Sequence, residues 1–427
     1  MRHGKHHTHP IVFSVLNLAF KKWTILRIFL LCIAKSRNFQ YRDITVCLIA
    51  GSVTSQLPVV TTEFGKCMST QEKNGTILWV NTLKGACILL VILHHSIITT
   101  LTPSIEYLSA GVIPAELWDL FNKSISPLRM PAFFFVSGLL ASNSVLKKKW
   151  SDVFTKKISN LLYLYILWGF LQWLFIKKII TEPMGAQLSN ADNSAYATSV
   201  YDFLNLLFNA STSLWYLYAL AGYFFISKSL NRLKYITIAL AIILNYIPRF
   251  GIIESWSIIS ISQNMIFFVI GVYFSNAIVR LTEIKKENLA TWTLILVLAL
   301  VNVKLGIGKN IFVCVASIAL SIKICQYMND KFDMSWLNWI GKNTLQIYVI
   351  HRIYVEVFGI ILLRLGIDEG WFMNNTYSLM WSITYPIASV FTYATLSILT
   401  WKLLNKGLGR TLFSYPSLLN KQPQRLS

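Results

Sequence analysis

The chain has 427 residues, of which 55% are hydrophobic, 14% aromatic and 13% charged. A soluble globular domain carries about 25% charged residues, so the composition excludes an ordinary cytosolic enzyme, a disordered chain and a collagen-like one. The formal charge of +21 lies between long apolar runs, which marks membrane topology and not a nucleic-acid partner.

Residues 1–67 read apart from the rest. They open with His3, His6, His7 and His9, followed by an apolar patch broken by Lys21, Lys22 and Arg27. The clean run from Ile28 to Ala34 is too short to span a bilayer, and the layout is not that of a signal peptide. No carboxylate or cysteine pattern accompanies the histidines, so no metal site is expected. This stretch is read as an N-terminal extension, with Met68 expected as the physiological start and an amphipathic cytoplasmic arm or one extra interfacial helix as the alternative; a membrane domain over 68–415 and a cytoplasmic tail over 416–427 follow. Cys32, Cys47, Cys67, Cys87, Cys314 and Cys325 form no CxxC pair and are expected as free thiols.

From Met68 onward, hydropathy predicts an all-α integral membrane protein, a bundle of about ten transmembrane helices, each near the ~20 residues needed to cross. The predicted spans are roughly 78–101, 127–146, 158–177, 212–229, 234–248, 260–279, 288–305, 309–328, 343–363 and 376–402. With the start inside, the inner loops and tail carry more than twice the Lys and Arg of the outer loops, which predicts both termini in the cytoplasm. The longest outer loop, near 178–211, is rich in Ser, Asn, Ala and Asp and suits water or a glycan. No internal repeat is visible, which argues against an inverted-repeat transporter.

Ionisable residues within spans are costly and are therefore candidates for function. Lys84, His94, His95 and His351 stand within predicted spans, and Arg129 and Glu356 near span ends. Lys84 and His95 are eleven residues apart, about 1,100° of helix, so they share a face at a separation of ~16 Å. His94 lies ~80° off that line. One helix thus offers a cation at a mouth and an imidazole deeper in. That arrangement suits an extended thioester donor: the cation holds phosphate, and the imidazole serves as general base or transient acyl carrier. The structural alternative is a snorkelling lysine and a histidine bonded to a neighbouring helix.

Four segments in order resemble one family. Leu83-Lys84-Gly85-Ala86 through His95 is similar to the basic-x10-His signature of the acyltransferase-3 family of multi-pass bacterial membrane acyltransferases. Arg129-Met-Pro131-Ala-Phe133-Phe134-Phe135-Val-Ser137-Gly138 resembles its arginine plus FFFxSG segment, and Leu214-Trp215-Tyr216-Leu217 its LWYL segment. Ile340-Gly341-Lys-Asn343-Thr344-Leu-Gln-Ile347-Tyr348-Val-Ile-His351 resembles its GxNxxxIYxxH segment, and Lys147 to Lys157 its basic first cytoplasmic loop. The resemblance covers about 68–415 and is nearest to the fucose 4-O-acetylase-related branch, among enterobacterial inner-membrane members that begin where Met68 lies. There are departures. Lys84 replaces the usual Arg and loses its bidentate fork. Lys157-Ile-Ser-Asn160 stands where many members carry Arg-x-x-Arg, and Leu164 stands in place of a proline.

The resemblance implies an O-acyltransferase of the bacterial inner membrane. It would move an acyl group from cytoplasmic acetyl-CoA, or another acyl-CoA, to a hydroxyl of a cell-surface or periplasmic glycan or its lipid-linked precursor. Acyl-CoA is then a co-substrate, and no resident cofactor, metal or nucleic acid is expected. Carried over residue by residue, His95 is catalytic, and Lys84 and Arg129 are donor-binding, Arg129 having an interfacial anchor as its alternative. His351, Trp215, Tyr216 and Asn343 are candidates to line the cavity. Structural roles remain open for His351, and aromatic-belt roles for Trp215 and Tyr216. Ser137-Gly138 is read as a close-packing pair. Two other functions compete: a transporter or flippase for a small anion or lipid-linked sugar, and a non-catalytic scaffold.

Overall fold

A computed structural model describes residues 72–73, 76–184, 193–283, 286–306 and 309–416. The extension over 1–67 with its histidine cluster, the start at Met68, Cys32, Cys47, Cys67, the middle of the outer loop and the last eleven residues lie outside the described residues. The described chain is helical, apart from a two-residue antiparallel ladder pairing β1 (Glu72–Lys73) with β2 (Thr76–Ile77).

The helices run in chain order α1 (Leu78–Ser96), α2 (Val112–Ser124), α3 (Ser126–Leu146), α4 (Ser159–Ile176), α5 (Val200–Phe208), α6 (Trp215–Ser229), α7 (Lys234–Tyr246), α8 (Trp256–Leu281), α9 (Lys286–Leu305), α10 (Ile311–Lys331), α11 (Ser335–Lys342), α12 (Thr344–Asp368) and α13 (Asn375–Leu404). Polar side chains set several of their starts. Asn310 accepts from the backbone N–H groups of Phe312 and Val313 at the head of α10. Asn374 does the same for Thr376 and Tyr377 at the head of α13, satisfying donors that have no intrahelical partner.

Among the described residues, eight continuous helical stretches are long and apolar enough to cross a membrane: Leu78–Tyr107, Val112–Leu146, Trp150–Ile180, Trp256–Leu281, Asn288–Leu305, Ile311–Lys331, Thr344–Asp368 and Asn375–Leu404. The expected fourth and fifth spans, 212–229 and 234–248, instead form α6 and α7, of 15 and 13 residues. At 1.5 Å per residue α6 extends about 22 Å, short of a ~30 Å hydrocarbon core. The chain breaks on either side explain this: a turn at Leu230–Leu233 separates the two helices, and Pro248 and the left-handed Gly251 end the second.

Two crossings depend on glycine. A Cβ on Gly138 of α3 would stand 2.1 Å from the Phe268 carbonyl oxygen of α8, and one on Gly271 of α8 2.1 Å from that of Phe135. The same reciprocity joins α1 to α11, where a Cβ on Gly85 would stand 2.3 Å from the Leu337 carbonyl oxygen and one on Gly341 1.8 Å from that of Asn81. Small residues let backbones approach where no hydrophobic effect drives helices together. The outer faces are apolar instead: Leu289, Leu294, Leu296, Leu300 and Val303 of α9 are all more than half exposed. Such a belt is stable against lipid and not against water.

Candidate functional site

The site is assembled where α1 ends and α12 passes it. His94 and His95 occupy the last turn of α1. The helix then widens into a π turn over Ile97–Leu101, a local irregularity that often marks a functional position. On α12, Tyr348, His351, Arg352 and Glu356 recur at i, i+3, i+4 and i+8 and so fall along one face.

Arg352 connects the two helices. Its Nη1 donates to His95 Nδ1 at 2.7 Å. A guanidinium has only donors, so Nδ1 must be the acceptor and the neutral ring carries its hydrogen on Nε2. Arg352 is also ion-paired with Glu356, and both side chains are buried. Glu356 accepts in turn from the hydroxyl of Tyr196, in the short turn Ser194–Tyr196, and from Thr99 Oγ1 at 3.5 Å. Burial and the neighbouring Glu356 carboxylate raise the Tyr196 phenol well above its ordinary range, so it remains a donor.

His351 is fully buried, its ring centroid 5.4 Å from that of His95. Its Nδ1 lies 2.7 Å from the Tyr348 carbonyl, which can only accept, so that nitrogen carries the hydrogen. Its Nε2 has no hydrogen-bond partner among the described residues. His94, 5.1 Å from His95, turns the other way: its Nδ1 is 3.2 Å from Asn122 Oδ1, which also accepts from Arg129 Nη1 at 2.7 Å. Arg129 is therefore a buried partner of Asn122 on the His94 side.

A groove of about 320 Å³ lies next to this cluster, meeting it at Tyr348, whose ring centroid is 5.8 Å from that of His351. Lys84, Lys156, Lys157 and Asn160 line it, together with Val91, Ser137, Tyr216 and Tyr348. Val91 is seven residues along α1 from Lys84 and one turn short of His95, so the groove follows the helix for ~10 Å. Tyr216 and Ser137 share a hydrogen bond of 2.6 Å, and Tyr348 donates to the Ser213 carbonyl at 2.6 Å.

The residues singled out from the sequence are thus distributed unevenly. His95 and His351 come together, with His94 and Arg129 beside them. Lys84 and Tyr216 line the groove. Trp215 packs on Phe134, ring centroids 5.8 Å apart, and does not line the groove. Asn343 bonds the Trp339 carbonyl at 2.8 Å, closing the junction of α11 and α12, while the following Thr344 and Leu345 line the groove. Glu356, placed near a span end from the sequence, lies in mid-helix because α12 continues to Asp368. Arg352, Asn122 and Tyr196 were not singled out. For Arg352 a signal existed, since oppositely charged residues at i and i+4 within an apolar span are expected to pair. Among the described residues no group of His, Cys, Asp and Glu is arranged to hold a metal.

A family model described as an acyltransferase domain matches residues 77–401, well over half of the chain. Inner membrane protein YcfT of Escherichia coli strain K12 is 35% identical over 353 residues, covering 80% of this chain and 96% of that protein. No solved structure matches.

Proposed function

This chain belongs to the acyltransferase-3 family and is a multi-pass inner-membrane acyltransferase, and from that premise we propose that it transfers an acetyl group from acetyl-CoA to a glycan hydroxyl. The acceptor is a cell-surface or periplasmic glycan, or its lipid-linked precursor. The donor enters from the cytoplasm, on the side where the basic loops lie.

The observation that carries this reading is the groove lined by three lysines and by Tyr348, whose ring centroid is 5.8 Å from that of His351. Lys84, Lys156 and Lys157 supply positive charge for the donor's phosphates. The distance of ~16 Å from Lys84 to His95 along α1 matches an extended thioester arm. The acyl group then sits at His95, where Arg352 behind the ring and His351 beside it supply the polar groups an acyl transfer needs. Arg129, bonded to Asn122 beside His94, is read as holding an anionic group of the donor or of the acceptor.

The test uses the purified full chain in proteoliposomes with acetyl-CoA and an envelope-glycan extract. Free CoA thiol released only when glycan is present, with acetyl ester appearing on the glycan, is expected. Intact acetyl-CoA, together with proton-driven movement of a lipid-linked sugar across the vesicle, would overturn the reading in favour of transport.

A further inference from the structure

The hydrogen bonds around the two central histidines divide their labour. We infer that His351, and not His95, takes the proton from the attacking hydroxyl, while His95 donates a hydrogen bond to the thioester carbonyl oxygen. The inference rests on the acyl-transfer reading above.

Nδ1 of His95 is occupied by a guanidinium that can only donate. The neutral ring therefore presents Nε2–H to the site, a group that polarises a carbonyl and cannot accept a proton. Arg352 behind the ring strengthens that donor, and Glu356, itself held by Tyr196, keeps the guanidinium in place and balances its charge. His351 is wired the opposite way. The Tyr348 carbonyl fixes the hydrogen on Nδ1 and leaves the lone pair on Nε2. That nitrogen is buried and unpartnered, a costly condition that marks where a hydroxyl binds. The rings lie 5.4 Å apart, so one reacting centre can reach both an acceptor for its proton and a donor for its oxyanion.

The step balances without further reagents. The hydroxyl proton moves to His351 Nε2 as the oxygen attacks the thioester carbon. Charge on the carbonyl oxygen is met by His95 Nε2–H. The carbon–sulfur bond then breaks, and the thiolate leaves with the proton returned from His351, giving the ester and free CoA. His95 forms no covalent intermediate.

Glutamine separates the two roles, because its side-chain amide supplies an N–H near the Nε2 position but no base. With wild-type transfer as reference, His351→Gln is expected to lose about 100- to 10,000-fold in turnover, the usual contribution of a general base. His95→Ala is expected to lose about 100- to 1,000-fold, as for a missing oxyanion donor, and His95→Gln to recover much of that loss. A His95→Gln enzyme as inactive as His95→Ala, beside a fully active His351→Gln enzyme, would overturn the inference and leave acyl transfer standing. A wild-type chain that transfers nothing would remove both. As a measurement independent of variant folding, ¹⁵N spectra of the histidine-labelled wild-type chain should show His95 protonated at Nε2 and His351 at Nδ1. The reverse tautomers would also overturn it.

Discussion

Arg352 and Glu356 stand one helical turn apart on α12, both buried, and their ion pair holds the guanidinium against His95. Removing one partner leaves a buried charge uncompensated, which costs about 3–5 kcal/mol, whereas removing both is often neutral. Glu356→Gln should therefore lower the melting temperature of the detergent-purified protein markedly and reduce acyl transfer. The double variant Arg352→Met/Glu356→Met should regain most of the stability and none of the transfer. Equal melting temperatures for the single variant and the wild type would refute this.

The glycine crossings make a structural prediction. A methyl at Gly341 meets the Asn81 carbonyl at 1.8 Å, and one at Gly138 meets the Phe268 carbonyl at 2.1 Å. Backbone atoms cannot turn aside as a side chain can, so either alanine variant should be destabilised by about 1–3 kcal/mol. Gly222 in α6 faces open space, with nothing within 4 Å of an added Cβ. Gly222→Ala is the control and should melt no lower than the wild type, since alanine is the better helix former where nothing obstructs its methyl.

The lysines of the groove act on the donor through charge. Lys84→Gln, Lys156→Gln and Lys157→Gln should each raise the KM for acetyl-CoA, by about fivefold for a contribution near 1 kcal/mol. Lys84→Arg should retain or improve affinity, because a guanidinium meets phosphate with two parallel hydrogen bonds. The differences at the exposed Lys156 and Lys157 should shrink as salt is added, since exposed charges are screened within about 10 Å at 0.1 M, and the half-buried Lys84 should be less sensitive. Unchanged KM in all three glutamine variants would place the donor elsewhere.

Tyr196 makes an alkaline prediction. Its phenol titrates higher in the folded protein than the ordinary value of about 10 because burial and Glu356 disfavour the phenolate. A group whose pKa is raised on folding stabilises below its unfolded pKa, and the contribution is lost as pH rises beyond it. Wild-type stability relative to Tyr196→Phe should thus be constant through neutral pH and decline above about pH 10. A difference that grows with pH would contradict this.

Much of the architecture was legible because a membrane demands long apolar runs, and those of α1, α4 and α10 have no other use. The fourth and fifth expected spans form shorter helices than expected because turns interrupt them, at Leu230–Leu233 between α6 and α7 and at Pro248 after α7. Lys84 and His95 could be found because a charge or imidazole in an apolar helix is conspicuous. Arg352 and Glu356 are conspicuous in the same way, but a span ending near residue 363 puts Glu356 near its end, whereas α12 runs on to Asp368. Tyr196 gave no signal at all. It comes from a polar loop and meets Glu356 across 160 residues of sequence, a pairing that only the fold creates.

The most direct test of the account is the transfer of label from radioactive acetyl-CoA to envelope glycan by the full chain, with His95→Ala measured in parallel. The account predicts labelled glycan with the wild type and a loss of about 100-fold or more with the variant, both proteins being folded and inserted. Glycan labelled equally by both would contradict the placing of the reaction at His95.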